Sequence, residues 1–191
     1  SLDEFQQNQG SLKWRLLHRL QAWCFRQFAE IFTPSLYLAD IVCGWGVNAE
    51  RISVIPNAVE LQSPINTEPQ VDLVTVARLV PWKGLVELID LAAENQWSFS
   101  IVGDGPMRDE LDHQIKLRGS QDIELRGAVP QEQVAAEIRR GRVFVLNSSY
   151  EGLPHVVLEA QAAGVPVVVT RAGGTPECIE DGVTGRLVKA G

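Results

Sequence analysis

Short apolar, β-branched runs punctuate the later two-thirds of the chain: Val71–Val76, Ser98–Val102, Ile123–Leu125, Val143–Leu146, Val165–Val169 and Arg186–Val188. Between most of them apolar positions recur every three or four residues. That spacing predicts helices over Leu85–Glu94, Met107–Arg118, Gln131–Arg140 and Pro154–Ala163. Strands that are apolar throughout belong to a sheet buried on both faces, and strand–helix alternation makes such a sheet parallel. The predicted fold class is α/β, a doubly wound parallel sheet. Upstream the pattern is weaker: helix Leu12–Ala29, strand Glu30–Thr33, helix Leu36–Cys43 and strand Ile52–Ile55. This partial α/β segment is too short for a domain of its own. Leu61–Gln70, polar and with two prolines, reads as a linker. The expected organisation is therefore the end of one domain over 1–60, a linker over 61–70 and a second domain over 71–191.

Composition narrows the partners. Of 191 residues 45% are hydrophobic, which supports a core, and the formal net charge of −7 argues against nucleic acid as a partner. Cys24, Cys43 and Cys178 are odd in number and match no zinc or redox spacing; they are expected as reduced thiols of a cytoplasmic protein. His18, His113 and His155 form no ligand cluster either, so no metal is expected. No apolar run approaches about 18 residues, so no membrane span is expected. The opening Ser-Leu-Asp-Glu does not read as a signal peptide.

In a doubly wound sheet ligands bind at the carboxyl ends of the strands, where the strand order reverses. With the common order 3-2-1-4-5-6, that point lies between the first run, Val71–Val76, and the fourth, Val143–Leu146. The loops that follow these two are chemically the richest in the chain. The first carries Arg78 and Lys83, a fork and a movable point charge suited to phosphate oxygens. The second leads to Pro154 as a first helical residue, so that backbone N–H groups of Leu153, His155 and Val156 would face an anion at the helix start. Together these form a diphosphate site without a metal. Glu151 and Glu159 stand eight positions apart across that turn. Glu159, inside the helix, could accept from a ribose diol, and Glu151 would face the far end of the diphosphate; the alternative is two ordinary solvated acids. Gly103-Asp104-Gly105-Pro106 reads as a tight turn and is not the dinucleotide fingerprint G-x-G-x-x-G. Gly127-Ala128-Val129-Pro130 reads as a strand-to-helix turn whose backbone could approach a base.

The motifs "VARLVPWKG", "VGDGP", "LRGAVP", "SSYEGLPHVVLEAQAAGVPVV" and "AGGTPECIEDGVTGRLV", in that order, resemble the donor-binding domain of retaining glycosyltransferases of family 4, which have the GT-B fold. Upstream, "PSLYLADIVCGWGVNAERISVIPNAVE" resembles the end of that family's N-terminal, acceptor-side domain and its hinge. The resemblance implies a Rossmann-like half of a GT-B fold, a nucleotide-diphosphate sugar as donor, no metal or other cofactor, and transfer with the anomeric configuration kept. It implies that Arg78 and Lys83 bind the diphosphate, that Glu151 is the first glutamate of the E-x7-E motif beside the donor sugar, and that Glu159 is the second, on the ribose. Gly152 to Val156 match the helix start against phosphates and sugar, and Gly174 belongs to a Gly173–Glu177 turn facing the cleft. Glu151 is expected to orient the sugar while the leaving phosphate helps deprotonate the acceptor, a glycan, lipid-linked sugar or small molecule.

Three residues depart from the family pattern: Ala58 stands where the hinge usually has glycine, Gln161 where an apolar residue is common, and Asn147 where proline is frequent. Most of the acceptor domain and the final helices are absent, so the chain is expected to bind nucleotide without turning over alone. In Leu12–Ala29, Arg15, Arg19 and Arg26 fall near one line, with Leu17, Leu20, Cys24 and Phe28 roughly opposite and Trp14 and Trp23 flanking. Such a helix could rest on an anionic membrane at its cytoplasmic face or, more simply, be a solvated basic face. Two rival functions are a nucleotide-sugar epimerase of the same architecture and a non-catalytic nucleotide-sugar binding module. The first lacks a clear acid/base set, and the joint presence of Arg78, Lys83, Glu151 and Glu159 argues against the second.

Overall fold

The computed structural model describes residues 12–61 and 68–189, so residues 62–67 of the expected linker lie outside the described residues. Contacts divide the chain after Asn57 into two units.

The first unit contains α1 (Leu12–Gln27), β1 (Ile31–Thr33), α2 (Leu36–Gly44) and β2 (Ile52–Val54). The two strands pair in parallel, Ile31 opposite Ile52. Ser35 caps α2 by accepting the Leu38 N–H at 3.1 Å, which satisfies one of the donors a helix start leaves unpaired. Ile31, Val42 and Val47 form a small core, with Phe25, Trp45 and Ile52 packed against it. Little of α1 reaches that core: Ala22 is buried, whereas Leu16, Leu17, Leu20 and Trp23 are exposed. Among the described residues no helix is long and apolar enough to cross a membrane.

The second unit is the expected doubly wound sheet. Its strands are β3 (Val71–Val76), β4 (Phe99–Val102), β5 (Ile123–Gly127), β6 (Gly141–Leu146), β7 (Val167–Thr170) and β8 (Arg186–Val188). They lie in the order β5-β4-β3-β6-β7-β8, each neighbouring pair parallel. Numbered from the first of the six, this is the order 3-2-1-4-5-6 expected from the sequence. Successive residues of β3 point to opposite faces: Leu73 enters one core and Val74 the other. The first face is covered by α3 (Leu85–Glu94) and α4 (Arg108–Arg118), which bury Leu85, Leu88, Ile89, Leu111 and Ile115 at three- and four-residue spacings. On the other face, α5 (Gln131–Arg139) and α6 (His155–Ala162) bury Val134, Ile138, Val157 and Ala160. Phe99 and Phe144 are fully buried, one in each core. Each such side chain contributes about 1.5–3 kcal/mol, against about 0–1 for an exposed ion pair, so apolar burial fixes the strand order. On the first face Val143, Val145 and Val168 line an open groove of about 760 Å³ with Leu91 and Trp97.

Two strand boundaries differ from the pattern for identifiable reasons. β6 begins at Gly141, paired with Val71; a side chain there would come within 2.2 Å of Val74 Cγ1, so the position lacks one and gives no apolar signal. β7 begins at Val167 because Pro166 has no N–H for the ladder; its carbonyl instead accepts the Phe144 N–H at 2.8 Å.

The heads of β3 and β4 are tied by Asp72, which accepts the Ser98 hydroxyl at 2.8 Å and the Ser98 N–H at 3.0 Å. The Ser98 hydroxyl above all, then its N–H, hold the Asp72 carboxyl below the usual value of 3.8. A carboxyl depressed on folding stabilises fully above that usual value, and the stabilisation is lost as pH falls through the lower, folded-state value. Asp72→Ala is therefore expected to cost about 1–2 kcal/mol at pH 7. Urea titrations of variant and parent should converge as the pH is lowered below 3.8.

Candidate functional site

The loops that leave β3 and β6 at their carboxyl ends meet. In the first, Pro81–Lys83 form a turn of 3-10 helix closed by Gly84. The Ser149 N–H donates to the Trp82 carbonyl at 2.8 Å, and Asn147 Nδ2 donates to the Gly84 carbonyl at 3.1 Å. These backbone ties carry side chains with them. Lys83 Nζ lies 2.5 Å from Glu151 Oε1, both side chains largely buried. The Ser148 hydroxyl, itself buried, donates to the same oxygen at 2.6 Å, and the Ser148 carbonyl accepts the Thr170 hydroxyl of β7 at 2.5 Å. A chain Thr170–Ser148–Glu151–Lys83 thus fixes the carboxylate through one oxygen. Among the described residues Glu151 Oε2 has no partner.

The sequence expectation set Lys83 on a diphosphate; the structure holds it on Glu151. Arg78, from the same loop, is exposed and pairs with no described carboxylate. The start of α6 also differs. Pro154 is the N-cap, with an extended ψ of 103°, so the first helical residue is His155. Leu153 lies in the bend before it, beside Gly152. The first bond within the helix runs from the Val157 N–H to the Pro154 carbonyl, which leaves the N–H groups of His155 and Val156 at the helix opening.

Glu159 sits one turn further along α6, where a helix brings positions four apart together. Its Oε1 accepts Gln131 Nε2 at 2.6 Å and lies 3.2 Å from His155 Nδ1. The other ring nitrogen, Nε2, faces the Ala58 carbonyl at 3.1 Å. Both partners of His155 are oxygen acceptors, and a neutral imidazole has one N–H to give. A cleft of about 430 Å³ opens beside this cluster, lined by Ala58, Val59, Gln131, Ala135, His155 and Glu159 among others. Like Glu151, Glu159 uses one oxygen for internal bracing.

The remaining predicted loops join the same rim. The Gly103 N–H donates to the Gly127 carbonyl at 2.9 Å, the Leu79 N–H to the Asp104 carbonyl at 2.9 Å, and the Gly174 N–H to the Glu151 carbonyl at 2.9 Å. Gly174 is buried at the start of the Thr175–Glu177 turn. The Val129 side chain packs against the second core. Ser148, Thr170 and Gln131 had no role in the sequence reading. Ser148 alone left a trace, a serine three residues before a glutamate.

The three departures have structural accounts. Asn147 ties the two loops together. Gln161 Nε2 donates to the Cys178 and Thr184 carbonyls at 3.1 and 3.3 Å, work an apolar residue could not do. Ala58 is not among the described non-glycine residues with positive φ, of which Gln96 is the one, so no strain arises there. Among the described residues no group of three or more His, Cys, Asp or Glu could hold a metal ion. Burial, then the charges of Glu177 and Glu151, push the Cys178 thiol up to about 11.

Residues 60–191 match the family model described as glycosyl transferases group 1, and residues 2–63 match that described as glycosyltransferase family 4. The alpha-D-kanosaminyltransferase of Streptomyces kanamyceticus is 33% identical over 135 residues, 68% of this chain and 35% of that protein. The GDP-mannose-dependent alpha-(1-6)-phosphatidylinositol monomannoside mannosyltransferase of Mycolicibacterium smegmatis is 32% identical over 176 residues, 85% of this chain and 46% of that one. Among solved structures, HepE of Anabaena in complex with UDP and glucose aligns with a TM-score of 0.80 at 26% identity, covering 91% of this chain and 53% of its own. The chain therefore spans a third to a half of the length of these relatives.

Two measurements check the packing around the site. A Cβ at Gly103, whose φ is +137°, would lie 1.9 Å from the Ala77 carbonyl oxygen. Gly119 also has positive φ, at +64°, but open space around it. Gly103→Ala should cost about 2–3 kcal/mol in urea unfolding and Gly119→Ala about 1 kcal/mol. For the thiols, a value of about 11 leaves on the order of one part in a thousand as thiolate at pH 8. Iodoacetamide at that pH should label the exposed Cys24 well before Cys178, as mass spectrometry of timed samples would show.

Proposed function

This chain belongs to the glycosyl transferases group 1 family, with the Rossmann-like sheet of one half of a GT-B fold, and on that premise we propose that it is the donor-binding part of a retaining glycosyltransferase. The donor is a nucleotide-diphosphate sugar, and the acceptor a glycan, lipid-linked sugar or small molecule. The observation that carries this reading is the matched state of the two glutamates. Each has one oxygen braced from within the fold, Glu151 by Lys83 and Ser148, Glu159 by Gln131 and His155. Each keeps the other to accept hydroxyls, Glu159 those of a ribose and Glu151 those of the donor sugar.

Between them stands the start of α6, with the N–H groups of His155 and Val156 and the helix dipole behind them. Negative charge that grows on a departing diphosphate is stabilised there without reorganisation. Arg78, exposed and unpaired among the described residues, adds a mobile cation, and Lys83 a second that exchanges between Glu151 and phosphate. With two donors on one oxygen, Glu151 is suited to orient the sugar as its oxocarbenium-like state forms, while the leaving phosphate takes the acceptor proton on the same face. The exposed Leu16, Leu20 and Trp23 of α1, beside Arg15 and Arg19, suit an anionic membrane surface bearing a lipid-linked acceptor.

Calorimetric titration with nucleoside, nucleoside monophosphate and nucleoside diphosphate tests the assignment. Affinity should rise with each phosphate. Glu159→Ala should weaken all three by about tenfold, and Arg78→Ala should weaken the diphosphate more than the monophosphate. Equal affinity for the three ligands would refute the phosphate site. Retention is read from the anomeric coupling of product made by the whole enzyme; an inverted product overturns that part.

A further inference from the structure

The strand order sets the carboxyl ends of β5 and β4 in line with the crevice between β3 and β6. Arg126 and Arg108 both stand near the end of β5. Arg108, the first residue of α4, is half-buried, and its Nη1 lies 3.6 Å from where a Cβ on Gly127 would be. Arg118, Arg126, Arg140, Arg171 and Arg186 all have carboxylate partners. Arg108 has none among the described residues, although Asp104, Asp109 and Glu110 are its neighbours in sequence. A half-buried guanidinium without a counter-charge is placed to donate to a ligand's acceptors. The glycine beneath it leaves room on the side where β5 ends.

The position relative to Glu159 gives that room a use. Gln131 follows Gly127 by four residues (131 − 127) and touches Glu159 at 2.6 Å. On the donor-site reading, a ribose held on Glu159 can turn its base toward the 127–131 turn, beside which Arg108 stands. A guanidinium only donates. It matches a base that presents oxygen acceptors at its outer edge, as uracil does with O4 and guanine with O6 beside N7. Adenine offers an exocyclic amine at the corresponding place, and two donors would then face each other.

We infer that Arg108 is a specificity-determining residue of the donor site, selecting nucleotides whose base carries a carbonyl edge, uridine or guanosine diphosphate, over adenosine diphosphate. The inference rests on the donor-site reading above and adds the class of base to it. Calorimetry of the chain with UDP, GDP and ADP tests it, using the parent, Arg108→Ala and Arg108→Gln, with thermal melting to show that each variant is folded. The parent should bind UDP or GDP at least about tenfold more tightly than ADP. Arg108→Ala should bring that ratio to within about threefold while the ADP affinity stays unchanged, and Arg108→Gln, which keeps a donor, should fall between. A parent that prefers ADP, or a ratio untouched by Arg108→Ala in a folded variant, would overturn the inference and leave the donor site standing. A parent that binds none of the three would instead sink the donor-site reading and this inference with it.

Discussion

The pairing of β3 with β6 is the constraint from which the site follows. From β3 the chain winds outward to β4 and β5 on one side, with α3 and α4 on one face. From β6 it winds the other way, to β7 and β8, with α6 on the opposite face. Right-handed crossovers running in opposite directions part the loops above the central pair and leave a crevice there. What holds β3 against β6 is apolar: Val74 and Phe144 are fully buried, and Gly141 lets the strands approach without a side chain between them. The charged groups of the rim are placed by this packing and contribute little to it.

Within the crevice, hydrogen bonding does more than charge to set the geometry. Glu151 would have many rotamers on an unrestrained loop. Two donors on one oxygen and a backbone bond from Gly174 remove that freedom. The buried hydroxyls of Ser148 and Thr170 carry the restraint back into the sheet. The hydroxyl relay and the Lys83 ammonium meet on one oxygen, so the carboxylate is oriented and partly neutralised there while its other oxygen stays open to a ligand. Glu159 is braced differently, by an amide and an imidazole from the surface of two helices, and its support is correspondingly more exposed.

Much of this was legible in the order of residues. Apolar runs gave the six strands, three- and four-residue spacing gave α3 to α6, and the doubly wound order told which two loops should meet. Pattern reading works there because burial on two faces forces a continuous apolar signature. It fails where the determinant is space or a missing donor, as at Gly141 and Pro166, which shift strand starts by two residues. It also fails for partners distant in sequence. Nothing in "VPWKG" says that Lys83 will sit on Glu151, or that Gln131 will reach Glu159, because both contacts are made by the closed sheet. Pro154 shows the limit of local rules. Proline suits both the cap and the first helical position, and only the backbone angle distinguishes them.

The central pair also dictates when the molecule can be finished. Val71 is matched to Gly141, seventy positions further on, and the stretch between them contains β4, β5 and three helices. On the ribosome, β3 must wait for the whole of that stretch before its second neighbour exists. Until then one flank of an apolar strand is an unsatisfied edge, open to pairing with a nascent neighbour of its own kind. Parallel sheets of this wiring are slow to close for the same reason, since the loop entropy is spent before the contact that compensates it is made. The reversal of winding that creates the ligand crevice is thus made only after one whole flank of the sheet has emerged, with β7 and β8 still to follow.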